Sequence, residues 1–599
     1  MNKKESNKFS NKHLAHLLRS MAAAYLLKNE NRFKIIAYEN AASAVERLTR
    51  EIKDIWEDGK LQTISGIGQS IASHLDEYFR KGRSEHFDEV LGKIPEAVFV
   101  LMKIPTIGAK KAYKLVQALH LNNSEMAVKN LKKAALEGEI ASIPTFGEES
   151  QKAIVHAISI FEKRAIKEER MPLPYAHSMA KEIIQYLKKH PAVKRVDALG
   201  SLRRMVATIG DVDLSVQAED KDGQKIVDYF ISYPKKVSVD NAGEKKASIV
   251  IPPNVRVDIR VQNEKTYGAM LQYFTGSKSH NIKLREFAQK KGLSLSEYGI
   301  KDLKKKKKTP LEFKAEESFY SFLGLPYLPP EIREGTNEIE LGLKKKIPTL
   351  VEMKDMKGDL HIHSSYDLSP SHDFGANTYK EIVEYASNKR YDYVGFAEHN
   401  PNISKNSKAQ IISIMKKRKK HIDSIFSAKQ QKETHYFTGL EVDILPNGKL
   451  ALPEEAINYV DYLIVSIHSV FNQNINEMTK RVTNALNFSR VKILGHPTGR
   501  LLDRREGFEL DWPTIFELCK KKNIALEINA WPERLDLPDT LVREAIENGV
   551  RLVINSDAHA NDQMENLFYG VSVARRGWAK KTDIINTLPY EEFKKWLKN

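Results

Sequence analysis

From about residue 357 to the C-terminal end, one recurring pattern restricts the fold more than any other feature of the chain. Short apolar runs alternate with helical stretches, and the apolar residues give way to His, Asp or Glu: GDLHIH, YDYVGFAEH, YFTGLEVDI, YLIVSIHS, VKILGHP, ALEINA and RLVINSDAH. Alternating strand and helix units predict a parallel sheet covered by helices, and seven in succession predict a closed barrel. In α/β barrels the C-terminal strand ends share one face, so the polar ends are expected to meet in one cavity. His361 and His363 alternate to the same side of a strand end, as do Asp557 and His559. Glu398, His399, Glu441, His468 and His496 stand on other runs. Unpaired His and carboxylates gathered in one cavity would be costly without cations. Imidazole beside carboxylate suits Mn²⁺, Zn²⁺ or Fe²⁺ better than a purely Mg²⁺ site. The ligands exceed one ion's needs, so a cluster of two or three ions is expected.

The first half carries a different constellation, Gly200-Ser201-Leu202-Arg203-Arg204 followed by Gly210-Asp211-Val212-Asp213. In the strand DVDLSV, Asp211, Asp213 and Ser215 share one face, while Val212, Leu214 and Val216 face a core. A second strand, VRVDIRV, sets Arg256, Asp258 and Arg260 opposite Val255, Val257, Ile259 and Val261. If the two strands are neighbours, three carboxylates converge, and carboxylates so close repel unless cations lie between them. Mg²⁺ or Mn²⁺ fits such an oxygen set together with substrate phosphates.

Residues up to about 165 read as helical, with helical spacing in HLAHLLRSMAAAYLL and YENAASAVERL. Three segments there share a turn pattern: Ile64-Ser65-Gly66-Ile67-Gly68, Ile104-Pro105-Thr106-Ile107-Gly108 and Ile143-Pro144-Thr145-Phe146-Gly147. A glycine turn that opens a helix aims free N–H groups at its positive end, which suits a phosphate. These segments resemble helix-hairpin-helix motifs, which hold DNA backbone without reading sequence. Thr106 and Thr145 stand where that family usually has Gly, and this counts most against the third segment. Gly66, Gly68 and Gly108 are the expected backbone contacts.

The charge agrees with this. The chain has 599 residues, too many for one core, and a formal net charge of +17. Such a balance favours a polyanion. No apolar run approaches the roughly 20 residues that span a bilayer, and the start MNKKESNKFSNKH lacks a signal-peptide core. Nucleic acid in the cytoplasm is therefore the expected partner, and no membrane. Cys519, the single cysteine, excludes an internal disulfide and reads as buried filler. Lys304 to Lys308 read as a solvated loop.

The motif around Asp211 and Asp213 resembles the palm of family X DNA polymerases, and the match continues through Tyr273-Phe274-Thr275-Gly276-Ser277 and Asn281. With the C-terminal half, nearly the whole chain resembles the bacterial and archaeal family X polymerases that carry a polymerase-and-histidinol-phosphatase (PHP) domain. The resemblance implies that Asp211 and Asp213 bind both palm metals and Asp258 the metal that activates the primer hydroxyl. It places the dNTP triphosphate at Ser201 and Arg204, the sugar 2′ position at Tyr273 and the base at Asn281, with Gly200, Gly210, Phe274 and Gly276 also nucleotide-binding. Arg285 would lie near the template strand, and Arg256 near DNA. In the barrel it implies His361, His363, His399, Glu441, His468, His496, Asp557 and His559 as metal ligands and hydrolysis of phosphoesters, with a DNA 3′ end or an abasic site as substrate. The family's Asp-Gly after the first His pair falls in SSYDLSPSHDFGANT, where Asp373 is the choice and Asp367 the alternative. Glu398 replaces the usual Asp before His399. Arg500 and Arg504 are candidates for a substrate phosphate or for structural ion pairs. Where repair members of the family carry a Schiff-base lysine, this chain has His74, and neutral imidazole forms no Schiff base.

The expected fold is thus multidomain α+β and α/β. A helix-hairpin-helix domain at 1–95 and a second helical duplex-binding domain at 96–165 lead into a nucleotidyltransferase palm at 166–265. A nucleotide-selecting domain at 266–340 and a linker at 341–356 precede a distorted (β/α)7 PHP barrel at 357–599. The expected activity is gap-filling DNA synthesis in repair with 3′–5′ exonuclease, by a monomer using dNTPs on gapped, nicked or primer-template DNA. The rival reading is a phosphoesterase whose polymerase half only binds DNA.

Overall fold

The structure, a computed structural model, describes residues 9–46, 52–64, 66–104, 106–166, 170–304, 309–369, 374–426, 434–502 and 504–598. Asp373 and Lys305 to Lys308 lie outside the described residues.

Every regular element described before residue 167 is a helix, and residues from Leu14 to Ile158 share one hydrophobic core. The three predicted turns have one backbone shape. Gly66 sits at φ +97°, and Thr106 and Thr145 sit at +72° and +79°. In each turn the next hydrophobic amide closes back on the first isoleucine carbonyl: Ile67 to Ile64 at 3.0 Å, Ile107 to Ile104 at 3.2 Å, Phe146 to Ile143 at 2.9 Å. The threonines thus hold the left-handed form despite a cost of about 1–2 kcal/mol, because their neighbouring isoleucines and Phe146 are locked in the core. At Gly66 glycine is needed for space as well, since a Cβ would lie 3.2 Å from Ala44 Cβ and the Asn40 carbonyl oxygen. Helices begin at Gln69, Ala109 and Glu148.

After a short pair of strands, β1 (Met171–Pro172) with β3 (Thr208–Ile209), comes a five-stranded sheet. It contains β2 (Arg195–Ala198), β4 (Val212–Gln217), β5 (Ser238–Gly243), β6 (Lys246–Ile251) and β7 (Val255–Gln262), in the order β2-β4-β7-β6-β5. Helices Leu173–Leu187 and Gly223–Ile231 bury one face on Val212, Leu214, Val216, Val257 and Ile259. The alternation expected at 194–216 and 247–261 is present. β5 had no such signal because its inner residues, Val239 to Ala242, are all exposed and Asp240 and Asn241 interrupt any apolar alternation. The hairpin β8 (Leu293–Ser296) with β9 (Gly299–Asp302) joins helices Tyr267–Thr275, Lys278–Lys290 and Glu316–Phe322 around Leu284, Phe319 and Leu323.

All seven C-terminal runs form strands: β10 (Gly358–Ile362), β11 (Tyr393–Phe396), β12 (His435–Asp443), β13 (Tyr462–Ser466), β14 (Val491–Leu494), β15 (Ala525–Asn529) and β16 (Leu552–Asn555). They pair in parallel and in chain order. The barrel is nearly closed. β16 meets β10 through a parallel bridge, Ile362 with Ala558, in which the His363 amide donates to Ala558 O at 2.8 Å. The segment before the barrel is docked against it: the Val351 amide donates to Ala579 O at 2.9 Å, and Leu350 packs with Ile332 and Trp578.

Candidate active sites

In the five-stranded sheet, β4 and β7 are parallel neighbours with Asp213 beside Asp258. Asp211 sits just before β4, and the three carboxylates each bring an oxygen within 4.8 Å of the other two. Burial, then the charges of Asp211 and Asp258, push the Asp213 carboxyl up to about 6. This mutual repulsion is what a divalent cation relieves, so the donor set fits divalent metal. Asp258 is meanwhile held by Ser248 Oγ and by Arg256 Nε at 3.1 Å. Gly200, at φ +56°, opens a short helix that ends at Arg203, and a Cβ there would lie 2.7 Å from Asp213 Oδ2. Only glycine lets this helix start so close to the carboxylate, with Ser201 following it.

The remaining predicted nucleotide residues line up beyond that helix. Arg204 donates from Nη1 to Thr275 O at 2.6 Å, and from Nε to Glu334 at 3.1 Å. Tyr273 and Phe274, half-buried, meet edge to face at 5.0 Å, and the Arg260 guanidinium lies 4.0 Å from the Phe274 ring centre. Asn281 donates to Tyr273 O at 2.7 Å, and Arg285 donates to Asn281 O at 3.2 Å. Gly210 lies two residues ahead of β4.

The barrel gathers its predicted ligands at the C-terminal strand ends. Three groups each bring ligand atoms within 4.8 Å of one another: His361 with His363 and Asp557, His363 with His399 and His559, and His399 with Glu441 and His468. Glu441 is the hub. Its Oε2 is 3.0 Å from His399 Nδ1 and 3.3 Å from His361 Nε2, and its Oε1 is 2.9 Å from His496 Nε2. Burial opposes the charge of Glu441, but His399, His361 and His468 hold its carboxyl well below the usual range. Burial and His399 lower His363, while burial and Arg534 bring His496 down to about 4. His363 Nδ1 and His496 Nδ1 are buried without a hydrogen bond from any described residue. The unspent nitrogens of His363 and His496 beside carboxylates are what transition-metal ligation requires.

The strand-alternation argument found Asp557 and His559 for a reason the structure changes. Both lie past the end of β16, and Asp557 takes φ +56°; His496, past β14, takes φ +27°. Left-handed turns, rather than strand pleat, aim these side chains inward, a local strain common at functional sites.

Several residues were missed or misassigned. Glu527, fully buried in β15, accepts from His361 Nδ1 at 2.7 Å and from the His496 amide at 2.7 Å. Asp443 accepts from His468 Nδ1 at 2.5 Å, and Asn529 donates to Asp557 at 3.0 Å. A carboxylate in the middle of ALEINA was the available signal. Glu398 pairs with Arg418 and accepts from Ser364. It belongs to none of the candidate metal groups among the described residues. Asp367 is exposed and caps its own turn through Ser369 N at 2.6 Å. Arg504 pairs with Glu533, the structural ion pair that was the alternative, whereas Arg500 donates to the carbonyls of Arg534 and Leu535. The cation beside the ligands is instead Arg534, 17% exposed and 3.9 Å from Asp557 Oδ2. Its neighbour Arg505 donates to Gly499 O at 2.9 Å; burial, then Arg534, bring it down to about 10.

In the N-terminal region His74 stacks on His86 at 4.2 Å, and burial and His86 lower its pKa. The helix after the third turn opens with exposed Glu148 and Glu149, whereas the first opens with Gln69 and Ser70 and the second carries Lys110 and Lys111. Two carboxylates at a helix start repel phosphate. Among the described residues no helix is long and apolar enough to cross a membrane.

A carboxylate triad on an open sheet and a His-rich cluster in a barrel define a metal-dependent enzyme with two separate centres. Family models match at residues 9–84 (helix-hairpin-helix domain), 270–334 (DNA polymerase beta thumb) and 359–530 (PHP domain). The relative named DNA polymerase/3′-5′ exonuclease PolX, of Bacillus subtilis (strain 168), is 33% identical over 98% of this chain and 99% of its own. A probable phosphatase of Clostridium acetobutylicum is 26% identical over 40% of this chain and 96% of its own. The chain belongs to the family X DNA polymerases that carry a C-terminal PHP domain.

Proposed function

We propose that the chain is a DNA polymerase that fills short gaps, and that its barrel removes nucleotides or blocking groups from DNA 3′ ends. One observation carries the reading: the chain gathers two ligand sets on two different sheets, Asp211, Asp213 and Asp258 on the five-stranded sheet and the His-rich group around Glu441 in the barrel. The name of the Bacillus relative supports both activities.

In the palm, Asp211 and Asp213 would hold two ions, Mg²⁺ or Mn²⁺, and Asp258 one of them. Bound there, such ions supply Lewis acidity at the primer 3′-hydroxyl and at the leaving pyrophosphate. Arg256 must then exchange Asp258 for another anion, and a DNA phosphate is the available one. Ser201 and Arg204 orient the triphosphate, Tyr273 crowds the sugar, and Asn281 faces the base. In the barrel, two or three ions of Mn²⁺, Zn²⁺ or Fe²⁺ fit the imidazole-rich set. Arg534, rather than Arg500 or Arg504, is the guanidinium beside Asp557 that can be offered to a phosphodiester. The hairpins at Gly66, Gly68 and Gly108 hold the backbone of the gapped duplex.

The test uses a labelled primer across a one-nucleotide gap. Asp213→Ala should abolish nucleotide addition and keep 3′ degradation. His361→Ala with His363→Ala should do the reverse. Primer shortening at the wild-type rate by the histidine variant would take the nuclease away from the barrel. Extension by Asp213→Ala would remove the palm assignment.

A further inference from the structure

The arginine assigned to the triphosphate is already in use. Arg204 is 13% exposed, and two of its three guanidinium nitrogens are committed, Nη1 to Thr275 O and Nε to Glu334 Oε1. The same Oε1 atom also accepts from Arg576 Nη1 at 2.8 Å. Arg576 belongs to the barrel half, at the end of helix Leu567–Arg576. Its Nη1 also donates to the Arg204 carbonyl at 2.8 Å, and its Nη2 is 2.7 Å from Asp539. Arg575 beside it fixes the same loop by donating to Glu331 at 2.7 Å, and reaches Val351 O at 3.0 Å. One oxygen of one carboxylate is thus shared by two guanidinium groups, one from each half of the chain.

A triphosphate that takes Arg204 must win it from Glu334. The competition is decided by how much of the Glu334 charge is spent elsewhere. Arg576, 7% exposed and charged, spends part of it on the very atom that Arg204 uses. With Arg576 in place, Glu334 keeps a buried cationic partner when Arg204 leaves. Without it, Glu334 would be stranded without a cation, so Arg204 would be held more tightly.

We propose that Arg576 of the barrel half is a positioning residue for DNA synthesis: by sharing Glu334 it frees Arg204 for the incoming nucleotide's triphosphate. This rests on the assignment of Arg204 made above.

The experiment measures single-nucleotide gap filling by the full-length chain, as KM for dNTP and kcat separately, with 3′ degradation as an internal control. Arg576→Ala should raise KM about ten-fold, the scale of one hydrogen bond to a charged group. It should leave kcat within about two-fold and 3′ degradation unchanged. Arg576→Lys should restore part of the loss. Glu334→Gln should lower KM, and in that background Arg576→Ala should add nothing, a result a merely structural role would not give. A KM rise of the same size in the Glu334→Gln background overturns the proposal, as does a KM rise from Glu334→Gln alone. That second variant removes only a part-exposed carboxylate charge and keeps the proposal testable if Arg576→Ala unfolds. Arg204→Ala separates the two levels. If it raises KM while Arg576→Ala does not, the sharing fails and the Arg204 assignment stands. If Arg204→Ala leaves KM unchanged, the assignment itself fails.

Discussion

Glu527→Gln should weaken the barrel's hold on metal by 10- to 100-fold, roughly the effect of losing the partner that orients a metal-ligating histidine. Glu527 is fully buried and accepts four hydrogen bonds. Oε1 receives His361 Nδ1 at 2.7 Å and Asn555 at 2.9 Å. Oε2 receives the His496 amide at 2.7 Å and Asn529 at 3.1 Å. All four partners are donors, so a glutamine of the same shape must turn its own amide against two of them. Each buried bond to a charged acceptor contributes about 1.5–3 kcal/mol. A loss of about 1.4–2.8 kcal/mol in metal binding corresponds to the stated range. The geometry names the route: the Nδ1 bond keeps the proton on that side of the ring and leaves His361 Nε2 facing Glu441 and Asp557 as the ligating atom. Metal retained after dialysis, and the Mn²⁺ concentration for half-maximal 3′ degradation, both read the effect. Gap filling serves as the control and should not change. Wild-type metal retention together with an unchanged Mn²⁺ midpoint would refute the reasoning.

Three further outcomes follow from the N-terminal helices. Burial, then Lys103, His13 and Arg19, depress the His16 pKa to about 4. A depressed histidine costs stability as the unfolded chain takes up a proton, so the loss begins below about 6.5 and is complete near 4. It amounts to roughly 2 kcal/mol after allowing for part exposure; hydrogen-exchange protection of helix Asn11–Leu27 should fall over that window and should fall less in His16→Gln. DNA affinity should drop steeply with salt and show little sequence preference, and Glu148→Gln with Glu149→Gln should strengthen it a few-fold at low salt; a flat salt dependence would exclude backbone contacts as the main grip. With an imidazole rather than a primary amine at position 74, borohydride should not trap the full-length chain on an abasic 5′ end, and efficient trapping would show that a lysine elsewhere has taken the role.

Much of the barrel was legible because its signals are local. Strand length, the apolar runs and the polar residues that end them are all written within about ten residues, and all seven runs became strands. The same holds for DVDLSV and VRVDIRV, whose period of two already put their carboxylates on one face. The hairpin turns were legible too, and Thr106 and Thr145 kept the glycine geometry because core residues on either side impose it.

What the chain alone left open depended on partners far away in sequence. That β4 and β7 lie side by side, with Asp213 against Asp258, needed the sheet order. Asp557 and His496 reach the metal site through left-handed turns after their strands, a conformation that strand periodicity does not encode. Glu527 looks like any strand carboxylate until His361, 166 residues earlier, arrives at its oxygen. In sequence Arg500, Arg504 and Arg534 look alike. Only the fold spends Arg500 on carbonyls and Arg504 on Glu533, and sets Arg534 beside Asp557. Glu334 joins Arg204 to Arg576 across 372 positions of sequence. Backbone alternation is a short-range property that each segment carries alone, whereas a hydrogen bond or a shared charge exists only once both partners have been brought within about 3 Å of each other.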